Sequence, residues 1–226
     1  MWFDLGSVAI KPLGIFGGTF DPIHYGHLRL AEEMRERVGL GEVRFIPTGT
    51  PPHRGQPRVT AQQRAEMVAR AIVGHEGFVL DEREVRRAVT CYTVDTVREL
   101  RAELGESRPF CLLLGGDAFL QLHSWQHWRQ LLDLTHVVVG CRPGFDIEER
   151  LHTTPPTFQQ QFQRRRADLA ALPQQPGGQI ALLTIPKLEI SATDIRQRLA
   201  EGRTIRYLLP PAVADYIYQQ HLYSSC

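Results

Sequence analysis

Short apolar runs alternate with amphipathic stretches along most of this chain. The apolar runs have the length and composition of buried strands, and they lie at residues 11–16, 42–47, 78–80, 110–114, 136–140 and 180–185. Stretches with helical spacing lie between and after them, at residues 28–35, 61–72, 93–104, 125–132, 191–202 and 212–222. Continuous apolar runs are typical of parallel strands that are covered on both faces. The pattern therefore predicts an α/β fold: a doubly wound parallel sheet with helices on both of its faces.

Residues 159–178 interrupt this alternation. The segment is rich in glutamine, carries a basic run at residues 164–166 and ends in a loop rich in proline and glycine. Such a run is more often the face of a solvated helix than a contact for an acidic partner. We expect a polar insertion at about residues 153–178, without an assigned role. Since no internal repeat or linker is visible, we expect one domain over residues 1–226, with a core at about residues 10–224.

Composition excludes several classes of protein. The chain has 226 residues, 42% of them hydrophobic, and a formal net charge of +1, so no overall field favours nucleic acid or a membrane surface. We expect no membrane span, because no apolar run of about 18 residues occurs, and no secretory signal at the N-terminus. The four cysteines lack metal-binding spacing and are expected to be reduced thiols in the cytoplasm. Every apolar stripe can be used within one chain, so the sequence leaves the oligomeric state open.

The stretch at residues 14–28 joins the first predicted strand to the first predicted helix. Gly17 and Gly18 lack Cβ atoms, so a ligand can approach the backbone closely. An Asp-Pro pair then predicts a turn. His24 and His27 are three residues apart, so helical geometry would place both imidazoles on one face. Because the start of a helix attracts phosphate, and the motif is neither a P-loop nor a dinucleotide-binding glycine motif, we expect a phosphate site of another type.

A second motif lies late in the chain, at residues 190–196. Ser191, with Asp194 three residues later, resembles a capping box. Arg196 adds a guanidinium to the first turns of the same helix, where free N–H groups and hydroxyls could bind one phosphate together with it. On these residues alone, an ordinary well-started helix explains the motif equally well.

The amino-acid sequences of both motifs resemble those of a known family. Gly-Gly-Thr-Phe-Asp-Pro-Ile-His-Tyr-Gly-His at residues 17–27 resembles the His-x-Gly-His nucleotidyltransferases, and is most similar to the bacterial nicotinate-nucleotide adenylyltransferases of NAD synthesis. The late motif resembles the Ile-Ser-Ser/Ala-Thr-x-Ile-Arg of the same superfamily, and the similarity extends from about Leu13 to Tyr223. The resemblance implies a Rossmann-like sheet. It also implies transfer of AMP from ATP to nicotinate mononucleotide, giving nicotinate adenine dinucleotide (deamido-NAD) and pyrophosphate.

The resemblance also implies which residues bind ATP. Three of them, His24, His27 and Arg196, are expected to be catalytic through contacts with the phosphates. The full set expected to bind ATP is Gly17, Gly18, Thr19, His24, His27, Asp117, Ser191 and Arg196.

The acceptor residues implied by the resemblance are Thr93, Trp125 and Arg142. Thr93 would receive the pyridine carboxylate, Trp125 would stack on the pyridine ring and Arg142 would pair with the acceptor's phosphate. Each also has an ordinary structural explanation: a helix N-cap, a buried core tryptophan and an exposed turn residue. His53 and Arg54 match a loop of the family that could close over the substrate.

Such a transfer needs no protein nucleophile, because the acceptor's phosphate attacks the α-phosphorus of ATP. The protein must align the phosphoryl groups and offset the charge that grows on them. No carboxylate cluster in the sequence is dedicated to a metal. We therefore expect Mg²⁺ to be held mainly by the substrate phosphates and water, with no metal site built from side chains.

Three other functions remain open at this point. The same chemistry could act on nicotinamide mononucleotide, on phosphopantetheine, or on a sugar or glycerol phosphate with CTP. A sensor that binds ATP without turnover is a second possibility, disfavoured by the histidine pair. A tRNA synthetase is a third, disfavoured because the chain lacks an evident anticodon-binding region and the lysines of the synthetase signature.

Overall fold

Six strands form one parallel sheet in the order β3-β2-β1-β4-β5-β6. The computed structural model describes residues 10–49, 57–87, 89–186 and 188–224. The strands are β1 (Leu13–Gly18), β2 (Glu42–Pro47), β3 (Phe78–Leu80), β4 (Phe110–Gly115), β5 (His136–Cys141) and β6 (Ile180–Thr184). From β1 the chain builds outward to β3 and then returns to place β4 on the other side of β1. The carboxyl ends of β1 and β4 therefore flank the switch point, where doubly wound sheets bind ligands.

Nine helices connect or follow the strands in the described part of the chain. They are α1 (Tyr25–Val38), α2 (Ala61–Ile72), α3 (Thr93–Leu104), α4 (Gly116–Leu120), α5 (Trp128–Leu134), α6 (Ile147–Leu151), α7 (Pro156–Arg165), α8 (Ala192–Ala200) and α9 (Pro211–Gln219). Two 3₁₀ turns, Leu122–Ser124 and Leu169–Gln174, complete the connections.

The sheet separates two apolar clusters, and β4 shows why. Side chains alternate across a strand, so Cys111 and Leu113 point into one cluster while Phe110, Leu112 and Leu114 point into the other. Helices α1, α2, α8 and α9 cover the first face, and α3 to α7 cover the second. The expected doubly wound parallel sheet with helices on both faces is confirmed.

Helix α7 differs from the solvated helix expected from its basic run. Phe158 and Phe162 are fully buried in the second cluster. Arg165 donates hydrogen bonds to the carbonyls of Leu132 and Gly178, so part of the basic run is used internally. Two aromatic residues four positions apart supply the apolar face of an otherwise polar helix.

Two element boundaries also differ from the expectation. Strand β1 continues through Gly17 and Gly18, which pair with Ile46 and Pro47, so the glycine pair lies within the sheet. Helix α5 begins at Trp128, whereas the periodicity placed its start at Trp125. Trp125 instead follows the 3₁₀ turn in extended conformation.

Candidate functional site

A cavity of about 670 Å³ opens at the carboxyl ends of β1 and β4. It lies at the switch point of the sheet, and its walls come from the β1–α1 connection and from the first turns of α3 and α8. Seven of the residues expected from the sequence line it: Gly17, Gly18, Thr19, His27, Thr93, Trp125 and Arg196. The fold therefore gathers residues from both ends of the chain around one cavity.

Gly17 and Gly18, the adjacent glycines at the end of β1, differ in what a side chain would meet at each position. A Cβ atom on Gly18 would lie 2.9 Å from the ring of Phe20, so a side chain at this position would displace that buried ring. A Cβ atom on Gly17 would meet nothing within 4 Å. Gly17 is exposed on the cavity wall, so its missing side chain leaves the backbone accessible to a ligand.

The imidazoles of His24 and His27 stack on each other at the start of α1. Their ring centroids lie 3.8 Å apart with an angle of 29° between the planes. His24 is the N-cap residue in extended conformation, so the shared face arises without helical geometry at His24. Gly26 makes this possible, because a Cβ atom there would lie 2.9 Å from Nδ1 of His24. His27 lines the cavity and the buried His24 lies against it.

Both histidines are neutral at neutral pH without a ligand. Burial lowers the pKa of His24 to about 4. Burial, with a smaller contribution from the adjacent His24, lowers the pKa of His27 well below its ordinary value. The backbone N–H of His24 donates to Nδ1 of His27 at 3.3 Å. Neutral His27 therefore carries its proton on Nε2, from which it can donate to an anion.

Helix α8 brings Arg196 to the wall of the cavity. Ser191 is the N-cap residue and accepts a hydrogen bond from the backbone N–H of Asp194 at 3.1 Å, which confirms the expected cap. The carboxylate of Asp194 pairs with Arg198 instead of completing a capping box. Arg196 donates to the carbonyl oxygen of Asp21 at 2.6 Å, which ties α8 to the β1–α1 connection.

Thr93 and Trp125, the residues expected to bind the acceptor's ring, line the same cavity. Thr93 is the first residue of α3, and Tyr92 occupies the N-cap position, so the ordinary N-cap explanation for Thr93 is wrong. Trp125 is half-buried and lines the cavity. Trp128 instead packs edge-on against Phe158, with centroids 5.4 Å apart. Trp125 therefore lies where a bound ring could reach it, whereas Trp128 packs within the protein.

Asp117 and Arg142 are paired beside the cavity, outside its lining. They follow β4 and β5, and Nη2 of Arg142 lies 3.0 Å from Oδ2 of Asp117. Gly115 and Ala118, on either side of Asp117, line the cavity. The Asp117 side chain is 73% exposed, so one carboxylate oxygen is free to bind elsewhere. The sequence assigned these residues to different substrates, and the structure joins them in one ion pair.

Arg64 was missed by the sequence analysis. Its side chain is fully buried and donates hydrogen bonds to the carbonyls of Thr19, Thr48 and Gly49, which follow β1 and β2. A signal for it existed in the helical spacing, since Arg64 lies three residues before Met67 on the buried face of α2. Arg64 therefore fixes two loops that carry the cavity wall.

Glu84 was also missed, and no local pattern marks it. It lines the cavity, is 7% exposed and accepts a hydrogen bond from the hydroxyl of Thr96 at 2.7 Å. Burial raises the pKa of its carboxyl. His53 and Arg54, which the sequence placed in a closing loop, lie outside the described residues.

The described residues contain no group of three or more histidine, cysteine or acidic side chains that could hold a metal ion. None of the described helices has the length and apolar composition needed to cross a membrane.

The fold and the site define a nucleotidyltransferase. A six-stranded parallel sheet, an imidazole pair after its first strand and a guanidinium on a late helix all meet at the switch point. The sequence model of the cytidylyltransferase-like family matches residues 15–198. A protein of Dechloromonas aromatica named "Probable nicotinate-nucleotide adenylyltransferase" is 50% identical over 94% of this chain and 98% of its own length. A protein of the same name from Halorhodospira halophila is 48% identical over 95% and 96%.

These relatives place the chain within a narrower group. It belongs to the nicotinate-nucleotide adenylyltransferase family. A solved structure supports the fold independently. It is the nicotinic acid mononucleotide adenylyltransferase of Plasmodium falciparum complexed with APC. The two structures superpose with a TM-score of 0.70 at 21% sequence identity, over 94% of this chain and 97% of that chain. The expected family, fold and enzyme class are thereby confirmed.

Proposed function

We propose that this protein transfers AMP from ATP to nicotinate mononucleotide, forming nicotinate adenine dinucleotide and pyrophosphate in NAD synthesis. The observation that carries the proposal is the single cavity with two sets of residues on its walls. Gly17, His27 and Arg196 suit a nucleoside triphosphate. Thr93 and Trp125 suit a planar ring that carries an anionic group. A solved relative from Plasmodium falciparum is complexed with NaAD, the product of this reaction.

ATP would lie along the carboxyl end of β1. The accessible backbone at residues 17–19 would contact the nucleotide, and the imidazoles of His24 and His27 would donate to its phosphates. Asp117 would accept from a ribose hydroxyl with its free oxygen. The first turn of α8, started by Ser191, would supply N–H groups beside the guanidinium of Arg196.

Nicotinate mononucleotide would occupy the part of the cavity between α3 and the turn that precedes α5. Thr93 offers its hydroxyl and the free N–H groups of a helix start to the pyridine carboxylate. Trp125 offers a ring for stacking. A guanidinium has five donors in a fork, so Arg142 can hold Asp117 and the acceptor's phosphate at the same time.

The chemistry then requires alignment and charge stabilisation. An oxygen of the acceptor's phosphate forms a bond to the α-phosphorus of ATP. The bond from that phosphorus to the bridging oxygen of the β-phosphate breaks, and pyrophosphate leaves with the electron pair. His24, His27 and Arg196 are the catalytic residues in this proposal, because their donors offset the charge that grows on the leaving phosphates.

Mg²⁺ enters this proposal as part of the substrate. Mg²⁺ usually keeps several waters and binds substrate phosphates, so the phosphates and water would hold it, and Mg·ATP would bind as one unit. We further propose one nucleotidyltransferase domain that works in the cytoplasm. The buried thiols of Cys111 and Cys141 form no disulfide in the described part of the chain, which suits a reducing compartment.

The test is pyrophosphate release with ATP and a set of acceptors. Nicotinate mononucleotide should give the highest kcat/KM, with the dinucleotide identified by chromatography. Nicotinamide mononucleotide, phosphopantetheine and glycerol phosphate with CTP are measured in parallel. If the amide were used as well as the acid, the role of Thr93 would be wrong, and ATP binding without any turnover would support a sensor instead.

A pair of variants tests the histidine role. His24→Ala should lower turnover by at least about a hundredfold while the fold is kept, because it removes a phosphate donor. His152→Ala changes an exposed histidine at the end of α6 and serves as the matched control. Unchanged turnover in His24→Ala would rule out its proposed contact with the phosphates.

A further inference from the structure

Asp21 is a buried junction between three parts of the chain. Its side chain is 8% exposed, and it follows the glycine pair in the β1–α1 connection. Oδ1 accepts from the hydroxyl of Tyr223 at 2.7 Å, and Oδ2 accepts from the backbone N–H of Arg58 at 3.2 Å. Its backbone carbonyl accepts from Nη1 of Arg196 at 2.6 Å. One residue thus links the first loop, the late helix α8 and the C-terminal end of the chain.

Tyr223 reaches this junction from a position beyond the end of α9. It is separated from Asp21 by 202 residues in sequence, yet their contact is buried. The chain brings it there through a left-handed backbone conformation, with φ of 64°. Burial and the adjacent carboxylate of Asp21 raise the pKa of the Tyr223 hydroxyl, so this group stays a proton donor at all working pH values.

Arg196 depends on Asp21 for its position. Besides the carbonyl contact, its Nη1 lies 3.9 Å from Oδ2 of Asp21, and its Nη2 lies 3.3 Å from the hydroxyl of Thr193. Arg196 and Thr193 both line the cavity. A long arginine side chain loses much rotamer freedom when it is fixed, and prior fixation lowers the cost of holding a phosphate.

We propose that Tyr223 is a positioning residue for phosphate binding: it fixes Asp21, which in turn holds the guanidinium of Arg196 toward the cavity. The inference rests on the proposed role of Arg196 in binding ATP. Tyr223 is not among the residues that line the cavity, so its hydroxyl acts on the phosphates through Asp21 and Arg196 in this proposal. In this proposal the segment that contains Tyr223 helps to position Arg196 for nucleotide binding.

Tyr223→Phe tests this directly, because it keeps the ring and removes only the hydroxyl. The loss of one hydrogen bond to a buried carboxylate should weaken ATP binding and lower kcat/KM for ATP by about fivefold. The KM for nicotinate mononucleotide should stay within about twofold. Tyr218→Phe is the matched control, since it removes the hydroxyl of a half-exposed tyrosine on α9.

A double-mutant cycle separates positioning from plain stabilisation. In an Arg196→Gln background, Tyr223→Phe should cause no further loss of ATP affinity, whereas a merely structural hydroxyl would cause the same fractional loss in both backgrounds. Calorimetric titration with ATP gives this answer even if the wild type fails to use nicotinate mononucleotide, which would refute the proposed function alone. An ATP affinity in Tyr223→Phe equal to that of Tyr218→Phe would overturn the inference, with the melting temperature of each variant as the check on folding.

Discussion

Replacement of His24 by asparagine should make the protein less sensitive to acid. The pKa of His24 falls from 6.5 to about 4 on folding, because burial disfavours the charged imidazole. Between these values the unfolded chain binds a proton that the native state does not bind. Stability therefore falls as the pH decreases through this interval and is fully kept above about pH 7. Asparagine does not titrate, so this part of the acid loss disappears in the variant.

The magnitude follows from the two pKa values. One pKa unit corresponds to about 1.4 kcal/mol, so the shift of His24 lowers the free energy of unfolding by about 3 kcal/mol once the pH is below both pKa values. About 2 kcal/mol of this stability is already lost at pH 5. His24 is 6% exposed, so solvent screening reduces this figure little. The free energy of unfolding in urea is measured for the wild type and for His24→Asn at pH 7.5 and pH 5. Between these pH values the wild type should lose about 2 kcal/mol more than His24→Asn loses.

The control for this experiment is His152→Asn, which changes an exposed histidine. Its loss of stability between the two pH values should follow that of the wild type, because solvent surrounds this side chain before and after unfolding. If His24→Asn lost as much stability at pH 5 as the wild type does, His24 would titrate normally in the native state. The description of a buried, neutral imidazole pair would then be wrong.

Three further substitutions separate the contributions of the site and the scaffold. Gly26→Ala places a Cβ atom 2.9 Å from the His24 ring, so turnover should fall by about tenfold or more with little change in melting temperature. Arg101 donates hydrogen bonds to carbonyls that precede β4, β5 and β6, at the end of the sheet away from the cavity. Arg101→Met should therefore lower the free energy of unfolding in urea by about 3 kcal/mol and leave turnover per folded molecule unchanged. Arg64→Met should lower both stability and turnover, because Arg64 holds two loops of the cavity wall; normal kinetics in this variant would refute that role.

The sheet could be predicted from the sequence because its signal is local. Each strand is a short apolar run, and the alternation of β4 between the two clusters explains why the run is continuous. The glycine pair and the histidines were also found, since a ligand-binding turn after a first strand uses residues that are adjacent in sequence. Helix α7 was misjudged because only Phe158 and Phe162 mark its buried face. Two residues in a polar segment are a weak periodic signal.

The contacts that fix the site could not be predicted, because they join distant parts of the chain. Asp21 and Tyr223 are 202 residues apart, and neither has a local pattern that points to the other. The resemblance selected Trp125, but the periodicity did not show that α5 begins only at Trp128, which leaves Trp125 on the cavity wall and packs Trp128 against Phe158. The sequence thus indicated the groups that we propose to meet the substrate, whereas the contacts that hold these groups depend on tertiary structure.

The electrostatics of the cavity follow from the positions of the two histidines and of Arg196. The imidazoles of His24 and His27 stack 3.8 Å apart, so a proton on one opposes a proton on the other, and burial opposes both. The fixed positive charge facing the cavity from α8 is therefore the guanidinium of Arg196, held by Asp21. In the proposed complex with ATP, the phosphates would oppose this effect, because negative charge beside a neutral imidazole favours its protonated form. The proposed phosphate contacts would therefore let the imidazoles respond to the charge that grows on the leaving phosphates, while burial disfavours two adjacent cations in the protein alone.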